Sequence, residues 1–403
     1  MYVPSSFLYE IIQSEQTGIF CESNSSGDHA ILVKLPTSVL KSLIHGAKSY
    51  IHVYLTLDAP EYIALVFEVK DNTTSPFHAV IPQRWISEFN RFTSSYFDKV
   101  IELTIYDETD APVTSADIKI KTNFKHKGLM RILSNDVLLP AIDFDSTMMF
   151  LDTVCHEIGD RSFKRHKMSL QHFKFNVEIT NVTNLNAIHV NPNSSVSYNV
   201  ETAIDGNRQE LQIFQALSVL IGSSSYHSPY VTIGKTDREL TDLLCITSNN
   251  CSIAIESKAL TMDESSVNVS YEKNISKTIK HCAKALRQIE GAYKSIRDSN
   301  RIFIRESNET IVVNPNNKFF GIVLLDEYRN SHLWSDIFDS VVKLHERHGV
   351  IINILSVSEL MYIIKLCDSD SSNILTLLEK RFEKTMDLKT FTIRLIDESL
   401  PMI

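Results

Sequence analysis

The chain has 403 residues, of which 43% are apolar and 22% charged, enough for roughly two to three soluble globular domains at about 150 residues each. Eleven glycines and eleven prolines are too few for a disordered or collagen-like chain. Forty Lys and Arg against 49 Asp and Glu give a formal charge of −9, which excludes nucleic-acid binding by bulk charge, so any polyanion site has to be local. The six cysteines stand apart, with no Cys-x-x-Cys pair, so neither a zinc knuckle nor a disulfide framework is signalled and reduced thiols are expected. The first residues, MYVPSSFLYEIIQSEQ, lack the basic and long apolar regions of a secretory signal, and no window approaches the length of a bilayer span, so a cytoplasmic protein without membrane contact is expected. Asn72, Asn181 and Asn268 open Asn-x-Ser/Thr triplets, read as chance in a chain rich in these residues.

From the N-terminus, residues 1–140 carry alternating runs of β type: HAILVKL, SYIHVYLTL, YIALVFEV, FHAVI, VIELTIY and ADIKIKT. Turn chemistry such as Asp-Asn-Thr-Thr-Ser-Pro separates them, which predicts a mostly β domain. Residues 141–200 mix an apolar patch, TMMFLDTVCHEI, a basic run, RSFKRHKMSLQHFKF, and a polar segment, NPNSSVSYN; they read as a connecting region with the domain boundary inside it. From 201 to 403 the rhythm becomes helix (207–220), two strands (242–247 and 251–258) across an Asn-rich turn, long helix (273–298), strand (319–325), helix (333–345), strand (350–355) and a helix from Ser358. In the long helix Ile275, Ile279, Cys282, Leu286, Ile289, Tyr293 and Ile296 recur at steps of three and four, one apolar stripe. The order implies a mixed sheet with helices on its faces, hence an α/β class, α+β overall.

The sharpest constellation lies in TDLLCITSNNCSIAIESKA, where Asp242 precedes Glu256, Ser257 and Lys258. Side chains alternate along a strand, so Glu256 and Lys258 share a face. A three-residue loop of Ser248, Asn249 and Asn250 sets Asp242 opposite Glu256, with Cβ atoms about 4.5–5.5 Å apart. A two-residue Asn-Asn turn would instead pair Asp242 with Ser257 and part the carboxylates to opposite faces. Two carboxylates can hold a hard divalent cation, and a neighbouring lysine can orient water and neutralise charge at phosphorus. The tripeptide alone is not specific: Glu68-Val69-Lys70, Asp117-Ile118-Lys119 and Asp387-Leu388-Lys389 also match acid-x-Lys. Glu68, preceded by Asp58 and set in LVFEVK, is the serious competitor. The long helix after Lys258 favours the Glu256 site, since Lys273, Lys277, Lys280, Lys284, Arg287, Lys294 and Arg297 fall mostly off its apolar stripe and form a local polyanion-facing surface.

Asp242 with Glu256-Ser257-Lys258 resembles the PD-(D/E)XK, or restriction-endonuclease-like, nuclease superfamily over about residues 205–360. The resemblance implies a restriction-endonuclease-like mixed sheet flanked by helices, with Asp242 and Glu256 as ligands of Mg²⁺ or Mn²⁺ and Lys258 as the partner of water and phosphate. Many members also carry a Gln, often with a nearby Tyr, on the helix after the Lys strand; Gln288 and Tyr293 match, at a spacing one residue longer than the commonest pattern. A Glu on the first helix is matched by Glu210, with Glu239 the nearer but less well placed alternative. The eponymous proline is absent, Thr241 standing before Asp242. Within the superfamily the order of these elements is similar to Shedu antiphage nucleases or the nuclease-related NERD group.

The implied activity is metal-dependent endonucleolytic hydrolysis of DNA, with Lys277, Lys280, Lys284 and Arg287 on the nucleic acid. Prokaryotic defence against foreign DNA is the expected setting. The N-terminal domain is expected to regulate or bind a protein partner, and a homo-oligomer is compatible. The rival is a non-catalytic recognition or assembly module on the same fold; an intact acidic pair plus lysine favours the enzyme. His156-Glu157 and the histidines from 166 to 172 lack His-Glu-x-x-His spacing and read as solvated or packed. No Gly-x-Gly-x-x-Gly, Walker or Gly-x-Ser-x-Gly motif occurs, which removes support for a nucleotide-driven motor or a serine hydrolase.

Overall fold

The computed structural model describes residues 1–23, 27–56, 62–82, 92–134, 144–160, 163–191, 194–202, 205–221, 224–259, 268–325, 332–367 and 370–393. Helices and strands are mixed throughout, as the α/β reading requires. The chain forms two compact units: Met1–Ala187 with Asn199–Glu201 and Met262–Tyr271, and Ile188–Tyr198 with Thr202–Thr261 and Glu272–Ile403.

The first unit contains α1 (Ser6–Ser14), β1 (Gly18–Ser23), β2 (His29–Lys34), α2 (Thr37–Ile44), β3 (Ser49–Thr56), β4 (Ile63–Val69), β5 (Phe77–Pro82), β6 (Val100–Tyr106), β7 (Pro112–Lys121), α3 (Lys127–Ser134), α4 (Phe144–Glu157) and β8 (Leu170–Asn184). Its eight strands make one sheet in the order β1-β2-β6-β7-β8-β3-β4-β5. The two edges of the sheet approach each other, Gly18 on β1 lying against Ile81 on β5. All six β-type runs read from the sequence are strands here. Residues 141–200, expected to connect two domains, instead supply α4 and the fifteen-residue β8, which bridges β7 and β3 in mid-sheet. Phe173, Phe175, Val177 and Ile179 alternate with exposed polar residues along β8, the period of a half-buried strand, which the basic run leading into it masks in the sequence. The polar NPNSSVSYN segment likewise contributes strand β10 (Ser194–Asn199), paired with β9 (Asn186–Asn191).

Pairing register puts Tyr50, His52 and Tyr54 on one face of β3 beside Glu68 on β4, His78 on β5 and His172 and Lys174 on β8. Phe150 and Val154 of α4 pack on Tyr54, Ala64 and Val66 of the same face. The buried Glu68 carboxylate lies 2.8 Å from His52 Nε2 and accepts from Lys174 Nζ at 2.9 and 3.0 Å, with His78 Nε2 at 3.7 Å. His52 Nδ1 is 2.9 Å from His172 Nε2. With both rings neutral, one of His52 Nδ1 and His172 Nε2 donates and the other accepts. His172 also stacks on Tyr54 at 4.4 Å, and Lys174 covers Tyr50 at 3.9 Å, a cation–π contact.

Burial opposes ionisation of Glu68, but bonds from His52, His78 and Lys174 outweigh it and hold the carboxyl well below its usual range. Burial lowers His52, and lowers His172 to about 4, with the neighbouring His52 and Lys174 charges adding to the latter. The unfolded chain therefore takes up protons near pH 6.5 that the folded histidines refuse, so stability present above that pH falls as pH drops towards 4. Glu68 adds to the loss in the same direction below about pH 4.5. We expect the urea midpoint of the wild-type chain to fall more between pH 7 and pH 5 than that of a His172→Phe variant, which lacks the lowered imidazole. Glu68→Ala, which strands buried donors, should cost about 1–3 kcal/mol at pH 7; an equal pH dependence in the wild type and His172→Phe would show that the histidine contributes nothing.

The second unit continues with α5 (Asp205–Ile221), β11 (Ser225–His227), β12 (Tyr230–Ile233), β13 (Thr236–Glu239), β14 (Leu243–Thr247), β15 (Cys251–Lys258), α6 (Tyr271–Arg297), β16 (Ile302–Phe303), β17 (Thr310–Ile311), β18 (Lys318–Leu325), α7 (Ser335–His348), β19 (Ile351–Ser356), α8 (Val357–Leu366) and α9 (Ser371–Leu388). Its central sheet runs β11-β14-β15-β18-β19, antiparallel from β11 to β15 and parallel from β15 to β19. A small sheet, β13-β12-β16-β17, is built from inserted strands that are too short to register as periodic runs.

Helices cover both faces of the central sheet. A Cβ on Gly321 of β18 would lie 2.7 Å from Ile289 Cγ2 of α6, so this helix presses on the face carrying Gly321, Ala254 and Glu256. The packing requires glycine there. Of the seven stripe residues, Tyr293 and five others are buried and Ile279 is half-buried. Tyr293 packs edge-on against Phe319, and its hydroxyl is 3.3 Å from the carbonyl oxygen of His348 at the end of α7. The opposite face carries His227 opposite Leu243, against Phe214 of α5 at 5.9 Å. Asn353 of β19 donates to the Leu378 carbonyl of α9 at 3.1 Å.

Candidate active site

The hairpin loop between β14 and β15 is the three-residue form, Ser248 to Asn250, with Asn250 at φ 55°. A left-handed third residue is what a three-residue hairpin loop needs, and Asn tolerates it better than most residues. The register follows: Thr247 opposes Cys251 and Leu243 opposes Ile255, so the next step brings Asp242 opposite Glu256 on the face covered by α6.

Beyond Leu243 side chains take over the backbone ladder. The Thr241 hydroxyl donates to the Ile255 carbonyl at 2.8 Å, and the Ser257 N–H donates to Asp242 Oδ2 at 2.7 Å. Lys258 Nζ bridges the acids, 3.2 Å from Asp242 Oδ2 and 2.8 Å from Glu256 Oε2. The three residues therefore converge on one end of the hairpin. The Glu256 side chain is 0% exposed, and those of Asp242 and Lys258 are 13% and 14%. Glu256 Oε1 is buried with no hydrogen-bond partner among the described residues.

Burial pushes the Glu256 carboxyl up to about 7, the Asp242 charge adds to the rise, and Lys258 offsets part of it. Asp242 is raised by burial, with a further contribution from Glu210. Burial alone would lower Lys258, but the two carboxylates outweigh it and raise its pKa. The site thus holds one ammonium between two acids that cannot both ionise without cost.

Glu210, on the first turns of α5, is close enough for its charge to act on Asp242. Its carboxylate lies 3.3 Å from His227 Nε2. The alternative, Glu239, is exposed on β13 opposite Tyr230, in the small sheet. Gln288 is half-buried on α6, and its Oε1 is buried without a partner among the described residues; no hydrogen bond ties it to the acids. Strands rise about 3.3 Å and helices about 1.5 Å per residue. The level of Glu256, two residues beyond the one paired with Gly321, therefore falls about four residues before Ile289 on the returning helix, near Ala285. Gln288 lies about one turn further from the site end.

Lys277, Lys280, Lys284 and Arg287 are all exposed on α6. Their spacing of three, four and three residues puts them on one stripe about 15 Å long, with Lys284 nearest the level of the acids. Lys294 is instead paired with Glu290 at 2.7 Å, and Arg297 is held by the Pro315 carbonyl at 2.7 Å, which takes both out of the free cationic surface.

The rival acid-x-Lys matches behave differently. Glu68 is saturated by His52 and Lys174, while Asp58 lies outside the described residues. Asp117 accepts from Asn181 Nδ2 on the exposed part of β7, and Asp387 sits at the end of α9 before a left-handed Lys389. His156 Nδ1 is 3.0 Å from the Phe163 carbonyl oxygen and His166 is 3.5 Å from Asp152. Two residues at the site escape sequence reasoning, Thr241 and His227. His227 lies on a three-residue strand with no periodicity to reveal it, and Thr241 stands out in the sequence only as the residue in place of proline.

The donor set fits a hard divalent cation. Two carboxylates reach one common point, as the shared ammonium contact demonstrates, and Glu256 has an oxygen left over; Mg²⁺ needs only one or two carboxylates alongside water and phosphate. No group of three or more His, Cys, Asp or Glu residues arranged to hold a metal exists among the described residues, so a closed protein cage is not formed. Comparison with known proteins returned no match to any family model, curated protein or solved structure. No helix among the described residues is long and apolar enough to cross a membrane.

The raised carboxyl has a consequence for stability. A folded pKa near 7 against 4.5 unfolded makes Glu256 favour folding most below pH 4.5, and that contribution is lost as pH rises through 7. Because a divalent cation favours the ionised pair, the rise in melting temperature on adding Mg²⁺ over EDTA should grow between pH 6 and pH 8. Glu256→Gln should abolish that growth, and a shift equal at both pH values would remove the acid pair as the binding site.

Proposed function

We propose that the chain is a divalent-metal-dependent nuclease that hydrolyses DNA phosphodiester bonds, acting in defence against foreign DNA. One observation carries the reading: Lys258 Nζ lies within 3.2 Å of Asp242 and 2.8 Å of Glu256 at the end of one hairpin, with Glu256 wholly buried. The PD-(D/E)XK order of residues supports it. The cation, when bound, supplies Lewis acidity and lowers the pKa of water at the reacting phosphorus. Asp242 and Glu256 are the residues that would hold it. The Ser257 N–H fixes one oxygen of Asp242 and so turns that carboxylate towards Glu256. Lys258, whose Nζ lies between the two acids, would neutralise a phosphate oxygen and orient the attacking water. Burial keeps bulk water from weakening each of these charges.

Purified full-length protein should cleave DNA in Mg²⁺ or Mn²⁺ and not in EDTA. Glu256→Ala should lower the rate at least about 100-fold, as removal of a transition-state electrostatic partner does, with the fold retained by circular dichroism. Lys258→Ala should lose rate and still bind metal. Undiminished cleavage in both variants would move the chemistry elsewhere, and cation binding without any cleavage would favour a non-catalytic recognition module.

The α6 stripe gives an independent test. Replacing Lys277, Lys280 and Lys284 together by Ala should weaken DNA binding without altering sequence preference. The slope of log K against log salt should become shallower by about 0.9 for each duplex phosphate that the variant no longer neutralises. All three are exposed, so the melting temperature should barely move. An unchanged slope would show that this face is only solvated.

A further inference from the structure

The exposed row on α6 runs through Lys277, Lys280, Lys284 and Arg287, and the next step of four along it reaches Gly291, which has no side chain to offer. A cation from another element stands there instead. A Cβ on Gly291 would lie 3.9 Å from Nη2 of Arg238. Arg238 belongs to β13, opposite Val231 of β12; it is exposed and makes no hydrogen bond or ion pair among the described residues. Its neighbours Asp237 and Glu239 point to the other face of the strand. Two further arginines beside the small sheet are committed within it. Arg305 donates to the Tyr230 hydroxyl at 2.9 Å and lies over that ring, and Arg301 donates to Asn308 Oδ1 at 2.7 Å and lies over Phe303. Glu290, the acid next to Gly291, is answered by Lys294 at 2.7 Å.

From this geometry we infer that Arg238 is a DNA-binding residue: it supplies the fifth cation of the α6 row, so that the inserted sheet β13-β12-β16-β17 shares in holding the backbone of duplex DNA. The inference rests on the nuclease reading above. From Lys277 to Gly291 the helix rises about 21 Å, a straight line of charge facing a duplex that carries about one phosphate charge per 1.7 Å of axis. Proteins that hold single strands add aromatic side chains on which the bases stack. The row contains no Phe, Tyr or Trp, and Tyr230 and Phe303 lie under their own arginines, so the double helix is the partner this surface fits.

The experiment is binding of the full-length protein to a labelled duplex, and to one of its single strands, by fluorescence anisotropy across a salt series in EDTA. Arg238→Ala should weaken duplex binding alike for unrelated sequences and make the slope of log K against log salt shallower by about 0.9. Its deficit against wild type then grows about eightfold as salt falls from about 1 M to about 0.1 M. The double variant Arg238→Ala/Gly291→Lys returns a charge to the same point from the helix itself and should recover the wild-type slope. Arg305→Ala removes an arginine held by Tyr230 and should leave the slope unchanged. A wild-type slope in Arg238→Ala, no recovery in the double variant, an equal loss in Arg305→Ala, or tighter binding of the single strand by wild-type protein overturns the inference while leaving the nuclease reading to stand on cleavage. If wild-type protein binds no DNA the inference falls, and if it also cleaves none the nuclease reading falls with it. Arg238 is exposed, so the melting temperature should hold; should Arg238→Ala not fold, the same salt series with Arg238→Gln, which removes the charge and keeps a polar side chain, decides the matter.

Discussion

The arrangement at the end of the β14–β15 hairpin depends on burying two carboxylates with a single ammonium. Glu256 sits between Asp242 on one side and the apolar strand β18 on the other, where it pairs with Val323. Removing charges from water costs several kcal/mol per ion, and their mutual attraction need not recover it. Apolar side chains at these positions would stabilise the sheet at least as well. Stability therefore does not explain why Asp242, Glu256 and Lys258 stand there, and the proposed cation and phosphate chemistry would.

The contrast with Glu68 sharpens the point, because the two glutamates share the same acid-x-Lys text. Glu68 accepts from Lys174 and lies against His52, and its carboxyl is held below the usual range. Lys70, the lysine of its own tripeptide, is exposed near Tyr50 instead. Glu256 keeps one oxygen without a partner among the described residues, and its carboxyl is raised. A structural acid is one whose donors are complete, and an acid poised for a ligand is one whose donors are not. That difference lies in the neighbouring strands, so no tripeptide can report it.

Much of the second unit is legible because its signals are local. Loop length fixes the parity that sets Asp242 against Glu256, and the steps of three and four in α6 separate the buried stripe from Lys277, Lys280, Lys284 and Arg287. The first unit reads as β, yet β8 reads as a connection. The period is there, in Phe173, Phe175, Val177 and Ile179, but the preceding basic run and the polar segment after it draw the whole stretch into one connecting region, and its partners β7 and β3 are set by pairing across the sheet. His227 escapes because three residues of strand carry no period, and its contact with Glu210 joins it to a helix that the chain has already left behind.

Helix α6 joins packing and function in one element. Gly321 has no side chain, so Ile289 can approach the sheet closely, and the level of the helix relative to Glu256 is set by that contact. Because the apolar stripe is fixed against β18, the polar stripe is fixed with it, at an angle that turns Lys280 and Lys284 to solvent, with Lys284 nearest the level of the acids. A larger residue at position 321 would lift or rotate the helix and move every cation on it together. The position of the cationic surface relative to the carboxylates is thus set by a glycine in the core, not by the lysines themselves.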